Sequence, residues 1–271
     1  MFNAYTLKMI AIIGMLMQHT VLVLGTMIPV GLHFPLQFGG GFTFPIMAFF
    51  LVEGYRHTRN VKKYATRIFV FALVSQVPHM MSLGNAVGNI FNGDAVFFYG
   101  NIMFTLFVGL VVLWLYDHMK KRALFWILFV LLSLATLLCD WGIIGPIMIL
   151  LYHIIKDEKL KRTVVPFLAF WFNLLAGFFI GIGVGFMIAL EGLDALEYAV
   201  DAPVETNFLA GIAAIMFMVG MLASIPFIRR YSGERGPSMK YMFYAFYPLH
   251  LLVLGVLAYL LGINSNLFPW Q

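Results

Sequence analysis

The sequence predicts an all-α polytopic membrane protein of about nine transmembrane helices, with its N-terminus in the cytoplasm and its C-terminus outside. Composition, the lengths of the apolar runs and the placement of positive charge carry that prediction. Of 271 residues, 62% are hydrophobic and only 11% charged, against about 25% charged in an ordinary soluble domain. Mean hydropathy is +0.92. A helix needs roughly 20 apolar residues to cross the hydrocarbon core. Nine runs meet or approach that length, at 7–30, 39–55, 66–83, 95–116, 123–139, 142–155, 164–190, 207–228 and 241–262.

Each run has its own justification. The first, Leu7 to Val30, is too long for a secretory apolar segment and lacks a small-residue cleavage site, so it is expected to be a retained span. The second, third and fourth are separated or closed by the basic loops "YRHTRNVKKYATR" and "DHMKKR". The fifth and sixth form a tight pair around "CDWG", and the sixth is the shortest of the nine. The seventh exceeds the thickness of the hydrocarbon core at ~1.5 Å rise per residue and should tilt. Its Gly177, Gly181 and Gly185 repeat at four residues and predict a stripe where a neighbouring helix packs closely. That stripe is no nucleotide loop, since no strand precedes it. The eighth and ninth flank the basic loop "RRYSGERGPSMK".

Charge orients this array, because cytoplasmic loops collect Lys and Arg. All 17 basic residues fall at Lys8 and in four loops: the three already named and "IKDEKLKR". Nine spans starting inside make all five places cytoplasmic. The long loop "EGLDALEYAVDAPVET", with Glu191, Asp194, Glu197, Asp201 and Glu205, then lies outside. With no linker or low-complexity tract, residues 1–271 read as one integral-membrane domain. The single cysteine, Cys139, excludes a disulfide framework and paired-thiol metal spacing, and no metal site is expected. Nucleic acid is not an expected partner despite a sequence pI of about 9.3, because topology accounts for the positive charge.

Ionisable groups inside spans are costly and face the bundle interior or a wet cavity. His19, His79 and His250 lie in the first, third and ninth spans, and Glu53 near the cytoplasmic end of the second. A lone buried histidine is commonly a satisfied core residue, whereas three on different helices suggest a shared site. Burial keeps imidazole neutral and available as a base. Lys8 and His19 are eleven residues apart, so they share one helix face within about 20°, roughly 16 Å apart along the axis. That geometry suits a ligand with an anionic cytoplasmic head and a reactive end carried inward, although Lys8 alone would equally serve as a snorkelling anchor. The loop carrying Arg56, Arg59, Lys62, Lys63 and Arg67 is the second candidate for anions, since guanidinium groups fork onto phosphate oxygens. Attraction to anionic lipid head groups competes with that reading.

These residues carry a resemblance. "LKMIAIIGMLMQHT", "FPIMAFFLVEGYRHTRNVKKY", "NIMFTLFVGL" and "FYPLHLL" occur in the order of the recurring blocks of the TraX family of bacterial membrane proteins, over nearly the whole chain. The opening also resembles membrane acyltransferases of the acyltransferase-3 type, in which a basic residue precedes a first-span histidine by the same interval. The resemblance implies transfer of an acetyl group from cytoplasmic acetyl-coenzyme A to an amine or hydroxyl. The acceptor would be a pilin-like peptide N-terminus, a surface glycan or a small amine, and the location the bacterial inner membrane. It implies that His19 is the base, with Gln18 beside it in the transfer site and His250 or His79 assisting, and that Lys8, Glu53 and the basic loop form the coenzyme site, the cations holding the phosphates. One departure stands out: Gln18 occupies the position where the TraX pattern has an aspartate, and glutamine cannot stabilise an imidazolium as a carboxylate does. A proton-coupled transporter, with the histidines and Glu53 as relay, and a non-catalytic assembly factor are the rival expectations. No internal pseudo-repeat or paired broken helices support the transporter.

Overall fold

The computed structural model describes the backbone of residues 1–90, 99–191 and 204–263, and side chains in these ranges except at 84–90, 180–191, 204–210 and 240. Among the described residues ten α-helices follow one another. They are α1 Ala4–Leu24, α2 Val30–Gly41, α3 Thr43–His57, α4 Val61–Ile90, α5 Ile102–His118, α6 Arg122–Ala135, α7 Ile144–Ile154, α8 Glu158–Glu191, α9 Val204–Arg229 and α10 Lys240–Leu260. Polar side chains start several of them. Asn3, Asn60, Asn101 and Asp157 each accept a backbone N–H of the following first turn, from Thr6, Lys63, Met103 and Leu160. Each such cap contributes about 1 kcal/mol by satisfying a donor the helix cannot.

Five described segments are long and apolar enough to cross a membrane: Ala4–Met27, Val30–His57, Glu158–Phe179, Gly211–Arg229 and Tyr241–Leu260. Ile102–His118, Arg122–Leu138 and Ile144–Ile154 are apolar but shorter. The outward faces fit lipid as the solvent. Ile127, Phe178, Phe179 and Val253 are each more than half exposed, and apolar surface spread around several helices is what a soluble monomer avoids. The chain is a multi-pass membrane protein.

At the second predicted span the structure departs from the sequence reading. Residues 31–38, expected to connect two spans, are helical and form most of α2. Pro29 precedes this helix at φ −53°, a dihedral already suited to a helix start. The His33 ring reaches back to the carbonyls of Gly25 and Ile28, at 3.0 and 3.1 Å, which lie just past the end of α1. Gly39, Gly40 and Gly41 then let α2 lie against α1 and α9. A Cβ at Gly41 would come within 1.9 Å of the Phe217 carbonyl, and one at Gly40 within 2.5 Å of the Gln18 side chain. The glycine stripe foreseen in the seventh span behaves otherwise: a Cβ on Gly177 would meet nothing within 4 Å, while the side-chain surroundings of Gly181 and Gly185 lie outside the described residues. The carboxylates from Glu191 to Glu205 also lie outside the described side chains.

α3 is the centre of the bundle. Phe44, Ile46, Ala48, Phe49, Leu51 and Val52 are all buried, and the helix touches α1, α2, α5, α7 and α9. α6 sits at the periphery, with Phe125 and Ser133 as its buried residues.

Candidate active site

The α1 face that begins at Lys8 continues through Ile12, Met15 and His19 to Leu22, and those last four residues line a cavity of ≈680 Å³. Its polar wall consists of Gln18, His19, Thr43, Asp140, Asn173 and Tyr247. The remainder is mainly apolar, as expected of a small-molecule site that uses a few polar groups for orientation. Gly40 leaves the room that seats Gln18 on this wall.

Two of the three span histidines meet here. His19 Nδ1 lies 2.7 Å from His250 Nε2, with the rings stacked at 4.9 Å between centroids. His250 Nδ1 lies 2.9 Å from the Phe246 carbonyl, one turn earlier on α10. A carbonyl only accepts, so His250 Nδ1 carries a proton and the Nε2 of the neutral ring is an acceptor. His19 Nδ1 must then donate to it. The Nε2 of His19 is left with its lone pair, and no described residue hydrogen-bonds it. His19 lines the cavity while His250 stands behind it.

His79 belongs to a separate pair. Its Nε2 donates to Asp140 Oδ2 at 3.2 Å, its ring stacks on Tyr99 at 5.9 Å, and its buried Nδ1 has no partner among the described residues. Asp140, which the sequence reading did not single out, is on the cavity wall and close enough to act electrostatically on His19. Backbone and side-chain bonds hold it there. Gly100 N donates to Leu138 O at 2.7 Å, Asp140 N to Gly100 O at 2.9 Å, and the Thr105 hydroxyl to the Asp140 carbonyl. Residues 99–101 are in turn fixed to α4, since Gln76 donates to Tyr99 O and Asn101 to Ala72 O. Trp141 follows at φ 68°, a left-handed conformation costly for a bulky residue. Its ring stacks on Phe44 at 4.4 Å, so packing on the central helix holds the strained turn that points Asp140 inward. Burial alone would raise the Asp140 carboxyl; the facing His79 ring and its hydrogen bond outweigh this and hold it below the usual carboxylate range. The available signal was an aspartate alone between two apolar runs, in "CDWG".

The basic candidates separate. Lys8 Nζ lies 5.1 Å from the Phe50 ring centroid and 5.6 Å from that of Phe243, and Phe243 also lines the cavity. Arg56 is engaged by Glu53 and Glu158, each at 3.5 Å, and by the Tyr152 and His153 carbonyls. Arg59, Lys62 and Lys63 are exposed. Arg67 lies over the Tyr64 ring at 5.7 Å and hydrogen-bonds the Tyr244 side chain.

Comparison with known proteins identifies the family along nearly the whole chain. The model of a family described as TraX protein matches residues 3–258. A curated relative, "Probable fimbrial assembly protein FimC, serogroup H1" of Dichelobacter nodosus, is 31% identical over 260 residues, covering 93% of this chain and 94% of the relative. No solved structure matches.

Proposed function

We propose, given that the chain belongs to the TraX family, that it is a membrane-embedded acetyltransferase using acetyl-coenzyme A as donor and an amine or hydroxyl as acceptor. The observation that carries this reading is the bond from His19 to His250 at the cavity wall, which leaves Nε2 of the cavity-lining His19 ring unprotonated. His19 takes the proton from the acceptor N–H or O–H as that atom attacks the thioester carbonyl. The carbon–sulfur bond breaks, and the thiolate leaves with the proton returned by His19. General base help of this kind is worth roughly 10²–10⁴-fold. His250, anchored by the Phe246 carbonyl, fixes the tautomer and tilt of the ring. Asp140 balances the charge that develops on His19, the duty Gln18 cannot perform. The apolar walls exclude water, which would otherwise compete as acceptor.

The relative named for fimbrial assembly favours a fimbrial or pilin-like subunit as acceptor. The same name suits a non-catalytic assembly role, which gives His19 no function beyond packing. In the proposed arrangement nine spans cross the bacterial inner membrane, with the N-terminus and the basic loops on its cytoplasmic side and the C-terminus outside. A reporter after Lys63 should be cytoplasmic and one at Asp194 external; both on one side would refute that topology. The activity is tested by incubating purified protein and fimbrial subunit with acetyl-coenzyme A carrying a radiolabelled acetyl group. Label moving to the subunit supports transfer, and its absence under conditions where the coenzyme binds would sink it.

A further inference from the structure

The charged end of the bundle holds two basic groups that differ in how they are neutralised. In the first, Glu158 sits among three cations. It receives Arg162 at 3.2 Å, Arg56 at 3.5 Å and the fully buried Lys161, while Glu53 takes the other side of Arg56. Arg162 also donates to the Tyr231 carbonyl at 3.3 Å. These cations have their anions already.

The second group does not. Among the described residues no carboxylate lies within 4 Å of Lys8 or Arg235. The Lys8 ammonium faces the rings of Phe50 and Phe243, and the nearby charge that acts on it is another cation, Arg235. Backbone bonds enforce this pairing of like charges. Phe2 N donates to Arg230 O, Ser232 N to Phe2 O and Ala4 N to Glu234 O, each at 2.8 Å. They stitch the chain's first residues to the loop that carries Arg235. Gly236, at φ 66°, passes so close to Asn3 that a Cβ there would come within 2.8 Å of the Asn3 side chain. Arg235 itself makes a side-chain hydrogen bond to Ser238 at 3.2 Å, and its side chain is exposed. A half-buried ammonium held beside a guanidinium is unfavourable unless an anion joins them.

The geometry points to a phosphate seat at this end of the cavity, with the Lys8 ammonium and the Arg235 guanidinium as its cations and the 230–239 loop as its cover. Phe243 belongs to both the seat and the cavity wall, and the wall continues through Met15 to His19. The seat and the free imidazole nitrogen therefore lie at two levels of one α1 face, roughly 16 Å apart. The ligand class is a phosphate ester or diphosphate. Identifying it with the head of the acetyl donor rests on the proposed function; the seat rests on the missing carboxylates. Guanidinium forks onto phosphate oxygens and ammonium adds a point charge, a common division of labour at phosphate sites. A lipid head group offers the same chemistry, so the test separates the two sources.

The test is calorimetric titration of the full-length protein in zwitterionic nanodiscs at low salt, with coenzyme A and with inorganic pyrophosphate, beside nanodiscs containing anionic phospholipid. The comparison is between the parent, Arg235→Glu and Lys120→Glu, the last reversing an exposed charge on another loop. The expected result is coenzyme A binding that pyrophosphate displaces, weakened at least about tenfold by Arg235→Glu and changed less than about twofold by Lys120→Glu, the size expected for losing a charge-assisted contact. Lys8→Met should lower affinity and Lys8→Arg restore most of it. If coenzyme A fails to bind while pyrophosphate binds with the same Arg235 dependence, the seat stands and the acetyl-donor reading falls. If anionic lipid displaces pyrophosphate and coenzyme A does not, the head group is the ligand. Affinities unaltered by Arg235→Glu, or no binding of any of these anions by the parent, would overturn the seat.

Discussion

The two buried histidine pairs are built from similar parts and arranged to opposite ends. His79 has a carboxylate partner, Asp140, and its second nitrogen is sealed without a bond. His19 has a neutral partner, His250, its ring lines the cavity, and no described residue hydrogen-bonds its second nitrogen. A search for a histidine beside an acid would have chosen His79 as the reactive one. Access and tautomer decide instead: the ring that faces space with a free lone pair can take a proton from a ligand, and the sealed one cannot. In the proposed mechanism Asp140 serves the His19 ring across the cavity wall.

Four substitutions probe that contrast, in descending order of expected effect. His19→Gln should lower the transfer rate by roughly 10²–10⁴-fold while coenzyme A affinity persists. A folded variant working at the parent rate would end the assignment of His19 as base. His250→Asn removes the acceptor that orients His19 and should cost on the order of 10–100-fold in kcat with little change in KM, as loss of an orienting partner typically does. An equal fall in kcat/KM caused entirely by a higher KM would instead make His250 a binding residue. His79→Gln should act mainly on stability. Weakening a largely buried charged hydrogen bond costs about 1–3 kcal/mol, visible as a lower denaturation midpoint, and the rate at low temperature should fall less than for His250→Asn. The reverse ranking would exchange the roles of the two pairs. Gln18→Asp should change the rate least of the four, because His19 Nδ1 already has its partner in His250. A large gain in rate would show that the carboxylate missing at this position limits the enzyme.

Much of this was legible along the chain. Apolar runs fall where helices stand because every backbone N–H and C=O in lipid must be satisfied within its own segment, so length and hydropathy suffice to locate them. α2 was the exception, since "VGLHFPLQFGGG" combines prolines and glycines that suit a connection on their own and a closely packed helix only beside α1 and α9. The shared face of Lys8 and His19 followed from 3.6 residues per turn and needed no partner helix.

What the sequence determined by itself was therefore local: the all-helical membrane class, the positions of most helices, the buried histidines and the family they belong to. Tertiary structure alone decided which histidine meets which, because positions 19 and 250 approach only when α1 packs on α10. It also made an aspartate in a strained turn part of the site, through Trp141 lodged on Phe44. It separated Arg56, whose charge is met by Glu53 and Glu158, from Lys8 and Arg235, which no carboxylate among the described residues meets. The physical reason is common to all three: helix formation depends on neighbours a few residues away, whereas pairing, strain and neutralisation depend on side chains that the chain brings together from far apart.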